Sequence, residues 1–371
     1  GKHITSDRGM EGNDHKVSLL PDEFAQMMQG IRRVEESMGQ GGERSISQGE
    51  MMNREVLAKS LVAACDVPAG TEITEAMVRI QSPGQGLQPN RLKDLIGRRL
   101  PVAKARGEVF FPSDLETPAA TPRHYRFKQP FGLPVRYHDI KVFSEVSNLD
   151  LVEIHLSYKD LEVDLNQVLP DRQGIGLVVH APELFAGDHT LDLCTEDSSY
   201  RSHSIGQLQR VIDISRDLRT RFQCPDPVLL VTNVGGFSEH HHLNRSEREP
   251  LRERLIASLQ QLNSAGEVEI IPQTMPPFPW HFGGQRFHNL FVDQDFIRQF
   301  CEEQGMRVCL DVSHSKLACN HQHIPFRQFL DLILPFTAHL HLADAKDVDG
   351  EGLQIQDGDI DWVQLFEQIH H

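Results

Sequence analysis

The chain has 371 residues, long enough for two or three domains, and its 53 acidic against 37 basic side chains leave a net charge of −16. That balance argues against nucleic acid as a partner, because a phosphate backbone calls for a basic face, and against an anionic membrane surface. No apolar run approaches a membrane span, the polar start does not read as a signal peptide, and six cysteines without a C-x-x-C pair imply free, mostly buried thiols, a cytoplasmic setting and no zinc ribbon.

Residues 1–54 open on GKHITSDRGMEGNDHKVSL, which places His3, Asp7, Asp14 and His15 among Lys2, Arg8 and Lys16. Gly9 and Gly12 mark loop rather than helix. Imidazoles, carboxylates and cations packed this way can hold a divalent metal and an anionic substrate; composition alone favours a polar surface loop. Pro21-Asp22-Glu23 then starts a helix, with Pro early and acids in its first turn. Phe24, Met27, Met28, Ile31 and Val34 recur at spacings of three and four and give it one apolar face, and it ends near Gly39. One strand and one helix cannot bury such a face, so the segment reads as the end of a larger domain.

Residues 55–115 carry short apolar runs (Leu61–Ala64, Ile73, Val109–Phe111) between turn signals at Pro68-Ala69-Gly70, Pro83–Gly86 and Arg106-Gly107. The pattern predicts a small domain of short strands and turns, with one helical stretch near Arg91–Ile96. Three prolines and few core residues make 116–130 a linker.

From 131 to 371, strand-like runs alternate with amphipathic stretches. The strands are Leu133–Tyr137, Leu151–Leu156, Ile175–His180, Val228–Val234, Val268–Ile271, Arg307–Val312 and Ala338–Ala343. Helical patterns fall at 204–222, 247–264, 293–304, 325–335 and Trp362–Ile369. Repeated β-then-α units rich in Val, Ile and Leu predict a parallel sheet covered by helices. Seven strands are one short of a (β/α)8 barrel, so the barrel reads as incomplete at its C-terminal end. Chemistry in such a barrel sits at the C-terminal strand ends, which here carry His155, His180 to Glu183, Asn233, Gln273, Asp311 with His314, and His341 with Asp344. Each histidine alone is a core or loop residue by default; their convergence from successive strands is what a metal site requires. His240-His241-His242, His321 and His323 read as solvated loop residues. Pro276–Pro279 with Trp280 and Gly283-Gly284 reads equally as a rigid lid able to stack on a sugar or as a packing loop.

Three sets of motifs resemble known families. KHIT-x-D, then G-x-DH-K-x-SL and the acidic helix start, resemble the end of the catalytic barrel of the sialic acid synthase family. SLVAACDVPAGTEITEAMV, SPGQGLQP and LIGRRLPVAKARGEVFFPSDL resemble the antifreeze-like (SAF) domain that follows that barrel. LDVSHS, HLHLADAK, VVHAPE and GEGLQIQDGDIDW resemble the xylose-isomerase-like TIM barrels. The expected fold is therefore α/β: the last βα unit of one TIM barrel (1–54), a β-rich SAF domain (55–115), a linker (116–130) and a truncated xylose-isomerase-like (β/α)8 barrel (131–371), the whole a piece of a longer protein.

The resemblance implies condensation of phosphoenolpyruvate with an N-acetylhexosamine-type aldose to a nonulosonic acid. It also implies a manganese or magnesium ion and a homodimer formed through the SAF domain. His3 would then be a metal ligand, Asp14 would contact the sugar, and Asp7 and His15 would be further catalytic candidates. The family's sugar-contacting Arg before the Pro-Gly of the SAF turn is Ser82 here, with Arg79 placed to substitute. In the second barrel, His180, Asp311, His314 and His341 are the metal candidates. The strand-five Glu of that group is replaced by Gln273 and the strand-four His by Asn233. An isomerase or epimerase, or a non-catalytic sugar-binding module, are the alternative readings of this barrel.

Overall fold

The computed structural model describes residues 2–38, 50, 53–54, 57–115, 124–224, 227–278 and 286–369. It comprises two units, Gly1–Ile46 and Ser47–His371. In the first, Ile4 pairs with Leu19 in a parallel bridge, with Thr5 N–H donating to Leu19 O and Leu19 N–H to His3 O, each at 2.9 Å. Helix α1 (Pro21–Met38) follows at once. Its first-turn Glu23 accepts the Leu20 N–H at 2.9 Å and pairs with Arg8, which also donates to Ser18 O, so one carboxylate fastens the loop to the helix start. Ile31 and Val34 on the apolar stripe are exposed.

In the second unit, β1 (Ser60–Ala63) pairs antiparallel with β2 (Val78–Gln81), Leu61 opposite Ile80. Bridges Val62–Val109, Val67–Lys104 and Glu72–Arg99 extend this pairing. Leu61, Ala63, Val67, Ile73, Leu87, Leu95, Leu100 and Phe110 form its core, and the helical stretch expected near Arg91 is α2 (Leu92–Leu95).

All seven strands expected after residue 131 are present and parallel: β3 (Gly132–Val135), β4 (Leu151–His155), β5 (Gly176–His180), β6 (Val228–Thr232), β7 (Val268–Pro272), β8 (Val308–Asp311) and β9 (Thr337–His341). β3 to β7 neighbour one another in sequence order, β8 pairs with β9, and the parallel bridge Gln273–Cys309 joins the two sets. Helices occupy the crossovers: α3 (Ile140–Val146), α4 (Leu165–Val168), α5 (Ser198–Arg219), α6 (Arg245–Leu259), α7 (Gln294–Gln304), α8 (Val312–Gln322) and α9 (Phe326–Ile333), and α10 (Trp362–Ile369) follows β9. Alternate strand residues face opposite sides. One set, including Val152, Ile154, Val179 and Leu230, packs with the helices. The other closes the barrel interior with an apolar floor of Val178, Val231, Ile271 and Cys309.

The short α3 and α4 fall outside the expected helical stretches, and α5 and α8 also depart from the sequence pattern. α5 starts six residues before the expected 204, because Asp197 caps it by accepting the Ser199 and Tyr200 N–H groups, while the first turn is too polar to show a stripe. α8 was not anticipated. Its buried face is Ser313, Ser315, Ala318 and Cys319 with few large apolars, and it begins directly on β8, capped by Asp311.

Candidate functional site

In the N-terminal unit, His3 and Asp14 face each other, with Nδ1 3.4 Å from Oδ2 and both side chains about two-thirds exposed (65% and 67%). His15 turns away, its Nδ1 2.8 Å from the Thr5 hydroxyl, and Asp7 accepts the Gly9 N–H at 2.7 Å. The loop thus brings His3 and Asp14 together and uses Asp7 and His15 to shape itself. An open imidazole–carboxylate pair fits a divalent ion as two of the several ligands such an ion takes.

Arg79 and Ser82 are exposed at the end of β2. The turn after them is held from inside. The Ser60 hydroxyl donates to Pro83 O at 2.7 Å and accepts the Gly86 N–H at 2.9 Å.

The densest polar site lies above the apolar floor of the barrel. Glu153, only 4% exposed in the middle of β4, receives imidazoles from two strands. His155 Nε2 lies at 2.7 Å, His339 Nε2 at 2.6 Å, and His341 Nε2 at 2.9 and 3.0 Å from its two oxygens. Burial alone would raise this carboxyl; the His341 charge and the three imidazole hydrogen bonds outweigh it and hold the group well below the ordinary range. On β9 the register slips by one residue, so that Cys309 stands opposite His339 and Asp311 opposite His341.

Asp311 sits at the strand-to-helix junction. Its Oδ1 accepts the His314 N–H at 2.9 Å, while Oδ2 faces Gln273 Nε2 at 3.0 Å and His341 Nδ1 at 3.3 Å. Burial opposes its charge, but His314 and His341 bring it down to about 2. His314 is also buried, which disfavours its cation. Asp311 and Glu351 reverse this and push it up to about 9, with Nε2 3.0 Å from Glu351 and Nδ1 2.9 Å from Thr274 O. His180 goes the other way. Burial, reinforced by His155, brings it down to about 4. Its Nδ1 is 2.8 Å from Ala181 O and its Nε2 3.2 Å from Gln273 Oε1.

Of the expected barrel residues, His180, Asp311, His314 and His341 do converge, with Gln273 among them. Asp344 does not join. Its carboxylate accepts the Gln356 and Ile360 N–H groups and Trp362 Nε1–H, pinning the loop before α10. Asn233 caps its own turn through the Gly235 N–H, and His242 packs on Phe278, Phe287 and His321. Trp280 lies outside the described residues. Glu153, His339 and Glu351 were not singled out from the sequence.

Comparison with known proteins agrees with this architecture. Residues 145–371, more than half of the chain, match the model of the xylose isomerase-like TIM barrel. The chain belongs to the xylose isomerase-like TIM barrel family. Residues 58–116 match the SAF domain and residues 1–43 the NeuB family, so this barrel is fused to a NeuB-like segment and a SAF domain. N,N'-diacetyllegionaminic acid synthase of Campylobacter jejuni is 34% identical over 97 residues, covering 26% of this chain and 29% of that protein. Human (Homo sapiens) N-acetylneuraminate-9-phosphate synthase is 35% identical over 103 residues, covering 27% of this chain and 28% of that protein. The chain thus spans under a third of the length of these relatives. Among solved structures, a D-tagatose 3-epimerase-like protein superposes with a TM-score of 0.47 at 17% identity, covering 65% of this chain and 86% of that one.

Among the described residues of the xylose isomerase-like barrel, two groups can hold a divalent metal, Glu153 with His155 and His180, and Glu153 with His339 and His341. The signal for Glu153 and His339 was present in the sequence. V-E-I-H and H-L-H each place two ligating side chains two residues apart, on one face of a strand. Among the described residues, no helix is long and apolar enough to cross a membrane.

Proposed function

We propose that the chain is part of a metal-dependent nonulosonic-acid synthase, which joins phosphoenolpyruvate to an N-acetylhexosamine-type aldose and releases phosphate. The observation that carries this reading is the match of residues 1–43 to the NeuB family, followed in order by the SAF match at 58–116. Similarity to legionaminic, pseudaminic and N-acetylneuraminate-9-phosphate synthases supports it. A bound manganese or magnesium ion would polarise the open-chain aldehyde of the sugar. His3 supplies a ring nitrogen for that ion. Asp14, 3.4 Å away and open to solvent, accepts from sugar hydroxyls. Asp7 and His15 keep the loop in the shape that pairs them. Arg79 on the SAF domain offers the cation that Ser82 cannot, and self-association through the SAF domain is part of the same reading.

The epimerase reading of the second barrel has less support, because Gln273 stands where the resemblance calls for a carboxylate, and its amide nitrogen faces Asp311.

The test uses the parent protein that carries this segment. With phosphoenolpyruvate, N-acetylmannosamine and manganese, it should release phosphate and form a nonulosonic acid, and His3→Ala should abolish both. Undiminished activity of His3→Ala removes His3 from the site, and no condensation with N-acetylated hexosamines overturns the reading.

A further inference from the structure

The sequence pattern makes His240-His241-His242 and His321 solvated loop residues, and the structure treats two of them otherwise. His242, in the loop after β6, and His321, in the last turn of α8, are both half-buried, and their ring centres stand 4.7 Å apart. Phe287 meets the His242 ring edge-on at 4.6 Å, and Phe278 meets the His321 ring edge-on at 5.2 Å. The His288 backbone carbonyl accepts from the His242 ring, while Nε2 is buried and has no hydrogen-bond partner among the described residues. The proton therefore belongs on Nδ1, and Nε2 keeps a lone pair with no donor against it. A buried acceptor left without a donor costs free energy. Aromatic packing does not account for it, because a phenylalanine would fill the same place without that cost.

The spacing of the two rings fits a shared ion. A transition metal about 2.0 Å from each nitrogen, with about 1.1 Å more to the ring centre, sets two cis imidazoles about 4.4 to 5.1 Å apart for angles between about 90° and 109°. The observed 4.7 Å falls inside that span. Burial, with His321 beside it, brings His242 down to about 4, and burial with His323 also lowers His321, so both rings are neutral near pH 7 and carry lone pairs. A ring N–H given to a backbone carbonyl is the outer contact that orients a ligating histidine. The last turn of α8, which carries His321, presents the carbonyl end of a helix, which favours a cation. Arg248, the nearby positive charge, is engaged with Asp293 at 3.9 Å.

The geometry points to a transition-metal site between the loop after β6 and the end of α8, with His242 and His321 as two cis imidazole ligands and water in the remaining positions. Two neutral nitrogens with open positions in a tetragonal shell suit Cu²⁺ or Ni²⁺. The site shares no ligand with the strand-end groups around Glu153 or with the His3 and Asp14 pair, and it stands whether or not the synthase reading does.

The test uses the whole chain, stripped with EDTA and loaded with Cu²⁺. Ascorbate then drives copper-catalysed oxidation of the side chains that hold the ion, and peptide mass spectrometry locates the added oxygen, which reads each site in the chain separately. His242 and His321 should be oxidised well above His138, whose side chain is 81% exposed and stands for a solvated histidine. His242→Phe and His321→Phe keep the aromatic packing and remove a ligand. In each folded variant the remaining histidine of the pair should be protected from oxidation, and Ni²⁺ calorimetry should lose one equivalent or show it weakened by more than about tenfold. The oxidation map of the parent decides the matter even where a variant fails to fold. Oxidation of His242 and His321 no greater than that of His138, oxidation of one that survives loss of the other, or an unchanged Ni²⁺ isotherm in both folded variants would each overturn the assignment.

Discussion

Glu153 and His341 are 188 residues apart in sequence, and both oxygens of the one lie within 3.0 Å of Nε2 of the other. This pair ties β4 to β9 across the barrel interior, and His155 and His339 crowd the same carboxylate. Removing one partner of a buried ion pair leaves the other charge uncompensated, a loss of about 3 kcal/mol or more. Glu153→Ala should therefore lower the unfolding free energy of the barrel, read from urea titration, by that amount. Glu153→Gln, whose amide oxygen still accepts one imidazole N–H, should lose less. Equal stability of Glu153→Ala and the parent would mean that the pair holds nothing together.

The pH dependence follows from His314 and Asp311. The folded value for His314 is about 9, above the ordinary 6.5. Its contribution is complete below about pH 6.5 and is lost as pH rises through 9. Asp311 is held at about 2, so its contribution is present above about pH 4 and fades as pH falls toward 2. Urea unfolding of the metal-free chain should thus weaken steadily from pH 6.5 to 9. His314→Gln should flatten that slope and also shrink the acid limb, because the His314 charge is the strongest of the influences that hold Asp311 down. An unchanged alkaline slope in His314→Gln would assign it to other groups.

The SAF turn supplies a prediction about backbone space. A Cβ on Gly86 would meet Val109 Cγ1 at 2.0 Å and Phe110 O at 2.3 Å, and that carbonyl is already fixed by the Leu87 N–H at 2.7 Å. Gly86→Ala must displace backbone and should cost about 3 kcal/mol. Gly70, at φ +79° with open space around it, pays only the left-handed penalty of about 1–2 kcal/mol on Gly70→Ala. Hydrogen exchange should show protection lost across 60–110 in Gly86→Ala and largely kept in Gly70→Ala. Equal loss in the two variants would contradict the packing account.

The sequence makes the barrel legible because its apolar strand runs alternate repeatedly with amphipathic stretches, and each of the seven expected strands overlaps an observed one. The site is half legible. His180, Asp311, His314 and His341 stand at strand ends, where barrel chemistry is expected, and the structure brings them together. Glu153 and His339 lie one pleat deeper, inside runs that read as continuous core, and only the period of two on V-E-I-H and H-L-H betrays them. Glu351 is a hairpin residue (Gly350–Leu353 against Asp344–Lys346) that reaches His314 through a tertiary contact no local pattern encodes. α8 escaped for a related reason: its buried face is mostly Ser, Ala and Cys, and Val312 and Leu317 alone do not make an apolar stripe.

Gln273 offers the sharpest way to separate the two halves of the lumen. Its Nε2 sits 3.0 Å from Asp311 Oδ2 and 3.2 Å from His341 Nδ1. Gln273→Glu puts a second carboxylate against Asp311 and replaces a donor by an acceptor. Two like charges at this distance cannot both ionise without cost. In EDTA the variant should therefore unfold at a lower temperature than the parent and take up a proton near the site. Mn²⁺ should reverse the order, because two facing carboxylates beside His341 make a cation site that the amide denies. The rescue should persist in Gln273→Glu combined with His180→Ala, since the new ligands lie on the Asp311 side. A variant destabilised in EDTA and not rescued by Mn²⁺ would show that the ion pairs of His341 and His314 close that side to metal even when the carboxylate is restored.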